Sequence, residues 1–395
     1  MSMLRFVVNI LLLSAYDADS HQYWRKGLVA HFSEHNWSVL TLPARYFSWR
    51  IRGNSMSWAF GEHREMLHKP YDLVIATSMT DLSALRGFIP SLAATKTIVY
   101  FHENQFAYPA TDRAHKNVEP MILNLYTALS ADQLIFNSHY NFQTFINGAT
   151  QLLKKLPDFT PLEVIAKLKA KSTIIPVPLI AEKTETDTQP KQAVCKKDIQ
   201  WLKYCNYSIA TSSQRPLLIA WAARWEYDKG PDRLLAIISA LEEQQVDFRL
   251  CILGQKFRHI PEYFTQIEQK FAHRLDQFGY ADSKAEYLLW LEHADIFLST
   301  AVHEFQGLSV LEAVNVNCIP VLPKRLVYPE LFSDRYLYDT NDDITIEAKN
   351  AANMIANIAN TVTHEQGSDT LMPIKTDMSW AKLKPAYQQI IDLLS

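Results

Sequence analysis

Two glutamates, Glu304 and Glu312, are separated by seven residues around Gly307 in the stretch Ser299-Thr-Ala-Val-His-Glu-Phe-Gln-Gly-Leu-Ser-Val-Leu-Glu-Ala313. The apolar run Asp295-Ile-Phe-Leu298 reads as the end of a buried strand, and Leu308 to Val314 reads as a helix. A helix N-terminus then lies between two carboxylates. Its free N–H groups and aligned peptide dipoles attract phosphate, whereas a carboxylate repels phosphate and needs a neutral partner such as a sugar hydroxyl. Together they fit a nucleotide sugar.

Other candidates also follow apolar strands. Arg224 and Lys229 lie in Trp221-Ala-Ala-Arg-Trp-Glu-Tyr-Asp-Lys-Gly230, a loop leading to a helix near Pro231. Two cations there would neutralise a diphosphate as it departs, unless they are only a solvated loop pair. His102-Glu103-Asn104 follows the strand 96–101 and offers groups for sugar hydroxyls or acid–base work, or merely for the loop's own backbone. Ser20-His21 closes a polar loop, residues 15–21, after the first strand. Asp17-Ala-Asp19 in that loop is a D-x-D, a pattern common by chance, and we assign no metal to it. Arg45, Trp49, Arg50 and Arg52 interleave cations with aromatics, a mixture that stacks on unpaired bases and neutralises phosphates. The alternative for Trp49 is packing against the sheet.

These residues need a scaffold. A chain of 395 residues is too long for one ordinary core, and strand–helix–strand alternation runs through both halves. We expect two doubly wound α/β domains with ligands at the carboxyl ends of the strands, in a cleft the two share. The boundaries read as 1–180, a polar linker at 181–213, a second domain at 214–378, and a C-terminal helix at 379–395 packing back on the first domain. Residues 1–180 hold 17 Lys/Arg against 13 Asp/Glu, compatible with an anionic partner but far below a nucleic-acid signature. Four cysteines without zinc spacing fit a reducing, cytoplasmic setting, and no segment reads as a membrane span.

His102, the Arg224/Lys229 pair and the E-x7-E pattern resemble, in that order along the chain, the signature of the family 4 retaining glycosyltransferases of GT-B fold. Longer strings are similar to the tRNA-queuosine alpha-mannosyltransferase family: LPARYFSWRIR (42–52), YFHENQFAYP (100–109), IFNSHYNFQTF (135–145), RWEYDKGP (224–231), HEFQGLSVLEAV (303–314) and LVYPELF (326–332). One departure is Asp17-Ala18-Asp19, where that family carries glycines before Ser-His.

The resemblance implies transfer of mannose from GDP-mannose to the cyclopentene diol of queuosine in a tRNA anticodon, that of tRNA-Asp, without a metal or other cofactor. It implies Arg224, Lys229 and the backbone of Gly307, Leu308 and Ser309 on the diphosphate, and Glu312 on ribose. Glu304 and His102 would face the transferred sugar. Ser20, His21, Glu103 and Asn104 would stand near the acceptor diol, with Arg45, Trp49, Arg50 and Arg52 towards RNA. A lipid or polysaccharide acceptor with another sugar donor, and a non-catalytic RNA- or nucleotide-binding role, are the alternatives. No stable membrane association is expected, and oligomeric state is left open.

Overall fold

The computed structural model describes residues 7–108, 118–179, 216–255, 260–363 and 376–395, with the side chains of 361–363 excepted. The chain divides into two compact units, Met1–Ile180 with Asp377–Ser395, and Ala181–Thr376. The expected linker at 181–213 lies outside the described residues.

The first unit is built on six parallel strands, β1 (Asn9–Asp17), β2 (Asn36–Pro43), β3 (Leu73–Thr77), β4 (Lys96–Phe101), β5 (Gln133–Phe136) and β6 (Ser172–Ile174), in the order β2-β1-β3-β4-β5-β6. Leu11, Leu12, Leu13, Val99 and Phe101 are wholly buried because helices cover both faces, which is why these strands read as unbroken apolar runs. The chain lays β2 on one side of β1 and then β3 on the other. The carboxyl ends of β1 and β3 therefore flank the topological switch point, where such sheets bind ligands.

The second unit repeats the logic with β7 (Leu217–Ala222), β8 (Phe248–Leu253), β9 (Leu275–Gly279), β10 (Ile296–Leu298), β11 (Ile319–Pro323) and β12 (Leu337–Tyr338), ordered β12-β11-β10-β7-β8-β9 and all parallel. Its switch point lies between β7 and β10. Arg224 and Lys229 follow the first of these strands, and Glu304 follows the second.

One local reading needs correction. The polar loop at 15–21 is shorter than its composition implies. Asp17 still pairs with Pro43 across an irregularity in β1, and Asp19 already opens the helix Asp19–His31. An acidic residue in a first turn favours this early start. Ser20 and His21 are thus helical, Ser20 exposed and His21 buried. The basic–aromatic segment is also helical, Phe47–Phe60, entered through Tyr46 in the left-handed region at φ 56°.

The C-terminal helix Trp380–Leu394 belongs to the first unit. Tyr387 accepts a hydrogen bond from Trp24 Nε1 at 3.1 Å and donates to the Pro176 carbonyl at 3.0 Å. The Trp24 and Tyr100 rings behind that contact pack directly on His102, with centroids 5.0 and 4.7 Å away.

Candidate active site

In the second unit the turn Tyr227–Lys229 is fastened to the loop after β10. Asp228 O accepts from Val302 and His303 N–H at 3.0 and 3.1 Å, and Thr300 Oγ1 donates to Lys229 O at 2.7 Å. Gly230 follows at φ 64°, and a Cβ there would stand 2.1 Å from the Thr300 carbonyl oxygen, so only glycine permits the approach. The result delivers Lys229 Nζ to His303 O at 2.9 Å, Glu304 Oε2 at 3.2 Å and Asp228 Oδ2 at 3.4 Å.

Glu304 in turn accepts from the N–H groups of Phe305, Gln306 and Gly307 through Oε1, at 3.0, 3.4 and 3.1 Å. Gly307, at φ 71°, is the N-cap of the helix Leu308–Asn315. Burial alone would weaken the Glu304 charge. Lys229 and the backbone donors outweigh it and hold the carboxyl below its ordinary range. Burial likewise opposes the Lys229 charge, and Glu304 and Asp228 outweigh it, so the ammonium is held above the usual lysine value. For Asp228, His303, Lys229 and Arg224 overcome burial and keep it ionised far into acid. A pocket opens here, lined by the ends of β7 and β10 with Lys229, Thr300, Glu304, Ser309 and Tyr328.

Two details differ from the sequence expectation. Gly307 N–H is engaged by Glu304, which leaves Leu308 and Ser309 as the first-turn N–H groups that helix geometry frees for an anion. Arg224 is half-exposed and paired with Glu226 at 2.7 Å, with Asp228 further off at 3.9 Å. Two cations therefore face three carboxylates, and the basic pair is not surplus charge. Glu312 lies on the helix as expected, with Lys284 Nζ at 2.6 Å and Tyr287 OH at 3.0 Å donating to its two oxygens. Each oxygen retains a second acceptor direction for a hydroxyl. Asp228 and Thr300, which assemble the turn, were missed as candidates; the acidic residues of the Trp-Glu-Tyr-Asp-Lys string were the available signal.

In the first unit His21 and His102 stack, with ring centroids 4.1 Å apart and 19° between planes. His21 Nε2 meets Glu103 Oε2 at 3.1 Å. His102 Nε2 is buried and has no hydrogen-bond partner among the described residues. Burial, reinforced by His21, pushes the His102 pKa well below the ordinary histidine value, so the ring is neutral at physiological pH.

Asn104 is a correction. It is wholly buried, its Nδ2 donating to Asn141 O, Asn141 Oδ1 and Thr144 Oγ1, and its Oδ1 accepting from Phe106 and Ala107 N–H. It builds the loop after β4 and is not an acceptor contact. Arg52, half-exposed, pairs with Asp81 at 3.0 Å and Glu119 at 2.9 Å. Arg45 and Trp49 are exposed and Arg50 is buried. In the D-x-D, Arg25 holds the Asp17 carboxylate at 2.7 Å.

Residues 9–179 match the family described as tRNA-queuosine alpha-mannosyltransferase N-terminal, and residues 209–370 match glycosyl transferases group 1. A tRNA-queuosine alpha-mannosyltransferase of Drosophila melanogaster is 30% identical over 346 residues, covering 88% of this chain and 87% of the fly protein. Among solved structures, sucrose-phosphate synthase from Thermosynechococcus elongatus matches with a TM-score of 0.67 at 13% identity, over 98% of this chain and 99% of its own. A glycosyltransferase from Rickettsia africae gives 0.62 at 14%, over 99% of each chain. Anabaena HepE, solved with UDP-glucose, gives 0.60 at 14%, over 98% of this chain and all of its own. At such identities the likeness shows the fold, GT-B, and the sequence matches make the chain a glycosyltransferase. With the N-terminal family model matching residues 9–179 and this relative in the fly, the chain belongs to the tRNA-queuosine alpha-mannosyltransferase family.

Proposed function

We propose that this enzyme moves mannose from GDP-mannose, with retention of anomeric configuration, to the cyclopentene diol of queuosine in tRNA, with tRNA-Asp as the natural substrate. Family membership supports the acceptor. The observation that carries the donor half is the Lys229–Glu304 pair at the N-terminus of the helix Leu308–Asn315. An acceptor hydroxyl oxygen bonds to the anomeric carbon as that carbon's bond to the diphosphate breaks, and the hydroxyl proton leaves to the departing phosphate or to water. Negative charge grows on the diphosphate, and Lys229, Arg224 and the N–H groups of Leu308 and Ser309 stabilise it. Glu312 takes ribose hydroxyls and Glu304 sugar hydroxyls. In the first unit, neutral His102 offers Nε2 to the sugar, while Ser20, His21 and Glu103 serve the diol.

Radiolabelled GDP-mannose incubated with tRNA, with or without queuosine, tests the reading. Label confined to queuosine-containing tRNA is expected. Transfer to a lipid extract instead, or no transfer at all, overturns it. Because protein cations meet the leaving group, activity should persist in EDTA. A loss restored by Mg²⁺ or Mn²⁺ would show that a metal shares that task.

Glu304 and the diphosphate compete for one cation, which fixes the sign of another outcome. Glu304→Gln removes the internal anion but keeps an oxygen for the loop's N–H groups. Affinity for GDP alone, read by calorimetry, should rise several-fold while transfer falls. A drop in GDP affinity would make Glu304 a brace for the loop and not a rival anion.

A further inference from the structure

Arg50 is unusual for a buried arginine. It is 8% exposed, yet among the described residues no carboxylate pairs with its guanidinium, and its Nε is fully buried without a hydrogen-bond partner. The nearby groups that bear on it are another cation, Arg45, which disfavours its charge, and the Tyr16 phenol at the end of β1, which favours it. Burial and Arg45 both pull it below the ordinary arginine range. Its terminal nitrogens are not among the wholly buried atoms and meet no counter-ion among the described residues, so a narrow positive face is left for a partner from outside the chain. Arg50 stands in the first turn of the Phe47–Phe60 helix, at its positive end. That end carries no side-chain cap. Everything here favours an anion.

Next to it is a prepared flat surface. Trp49 is 50% exposed, and its indole lies so close over Gly53 that a Cβ there would come within 2.3 Å of the ring. One face of the indole is thus seated on backbone, and the rest meets solvent. Arg45 lies over the Tyr46 ring at 5.5 Å, and Tyr46 is 71% exposed in its strained left-handed conformation. Met56 and Phe60 continue the exposed face along the helix, and Phe60 meets Phe88 edge-on at 5.2 Å. An apolar stripe of that kind also suits lipid or protein. The cations at the Trp49 end favour a base with its phosphate.

We infer that the start of the Phe47–Phe60 helix is a docking site for one unpaired nucleotide of the acceptor RNA, distinct from the nucleotide that receives sugar: Trp49 stacks its base and Arg50, with Arg45, holds its phosphodiester. This rests on the reading that the acceptor is RNA, and it narrows the expected segment. Arg52, neutralised by Asp81 and Glu119, takes no part.

The probes are an unmodified anticodon stem–loop and the same stem closed by a non-nucleotide linker, measured by fluorescence anisotropy with the full chain. The stem–loop should bind about tenfold more tightly than the closed stem, and Trp49→Ala should erase the difference. Gly53→Ala, which unseats the indole, should do the same. Arg50→Gln should lower the slope of log affinity on log salt by about 0.7, one single-strand phosphate, and Arg50→Lys should restore it. A thermal melt of each variant separates lost binding from lost folding. Equal binding of both probes by wild type, or undiminished stem–loop binding by a folded Trp49→Ala, overturns the site even where transfer to queuosine tRNA succeeds. Trp49-dependent binding to anionic phosphatidylserine vesicles with none to the stem–loop overturns it too, in favour of a membrane. If transfer fails while Trp49 still governs stem–loop binding, the nucleotide site stands and the transferase reading falls.

Discussion

Lys229→Ala should lower turnover by on the order of 10³, the upper scale for removing one donor from a developing anion. Three geometric facts set that size. The ammonium is nearly buried, within 3.4 Å of two carboxylates and one carbonyl, and fastened to the loop after β10 through its own backbone. Water cannot fill the position with equal charge. The variant also leaves Glu304 without its cation, and breaking a buried pair of this type costs about 3 kcal/mol. The acid side of the stability curve reports that loss. Glu304 has a depressed carboxyl pKa in the folded state, so its contribution is complete above the ordinary carboxylate value and vanishes as pH falls through the lowered one. In Lys229→Ala that fall should move to higher pH. Lys229→Arg should not rescue turnover, because a planar fork cannot serve His303 O and Glu304 as the compact ammonium does. Single-turnover transfer beside denaturant unfolding separates the two effects. Turnover within tenfold of wild type would remove Lys229 from the diphosphate.

Much of this site is legible in the sequence, for reasons that particular residues make clear. The strands of a doubly wound sheet are buried on both faces, so β4, β7 and β10 appear as apolar runs. The polar strings after them must lie at the carboxyl ends, which locates Arg224, His102 and Glu304 without coordinates. Partner choice is not legible. Asn104 has the same donors and acceptors whether it binds a sugar or closes a loop, and only the positions of Asn141, Thr144 and two backbone N–H groups decide. Arg50 and Arg52 look equivalent in Arg-Ile-Arg, but two residues along a helix turn them to different faces. One becomes buried without a counter-ion while the other meets Asp81 and Glu119. The helix itself was hidden because its exposed face carries Trp49, Met56 and Phe60, so no apolar stripe stands out against a polar one.

His102→Phe should cut turnover by on the order of 10² while leaving the fold intact, and its pH behaviour should identify the cause. The aromatic ring of the variant can keep the stack with His21 and the contacts with Trp24 and Tyr100, so what disappears is the nitrogen chemistry. In wild type that nitrogen belongs to a neutral imidazole, because burial and His21 disfavour the imidazolium. Turnover should therefore show no titration of His102 near neutrality. Stability should. The unfolded chain binds a proton at His102 below about pH 6.5, and the folded chain does so only at lower pH. Between those values the unfolded state holds more protons, so stability falls as the solution is acidified. His102→Phe has no such proton to gain and should lose stability less steeply below pH 6.5, by up to one proton in the slope. Full turnover in the Phe variant would reduce His102 to a packing residue. An unchanged acid slope with lost turnover would keep its role at the sugar but place its charge elsewhere in the titration.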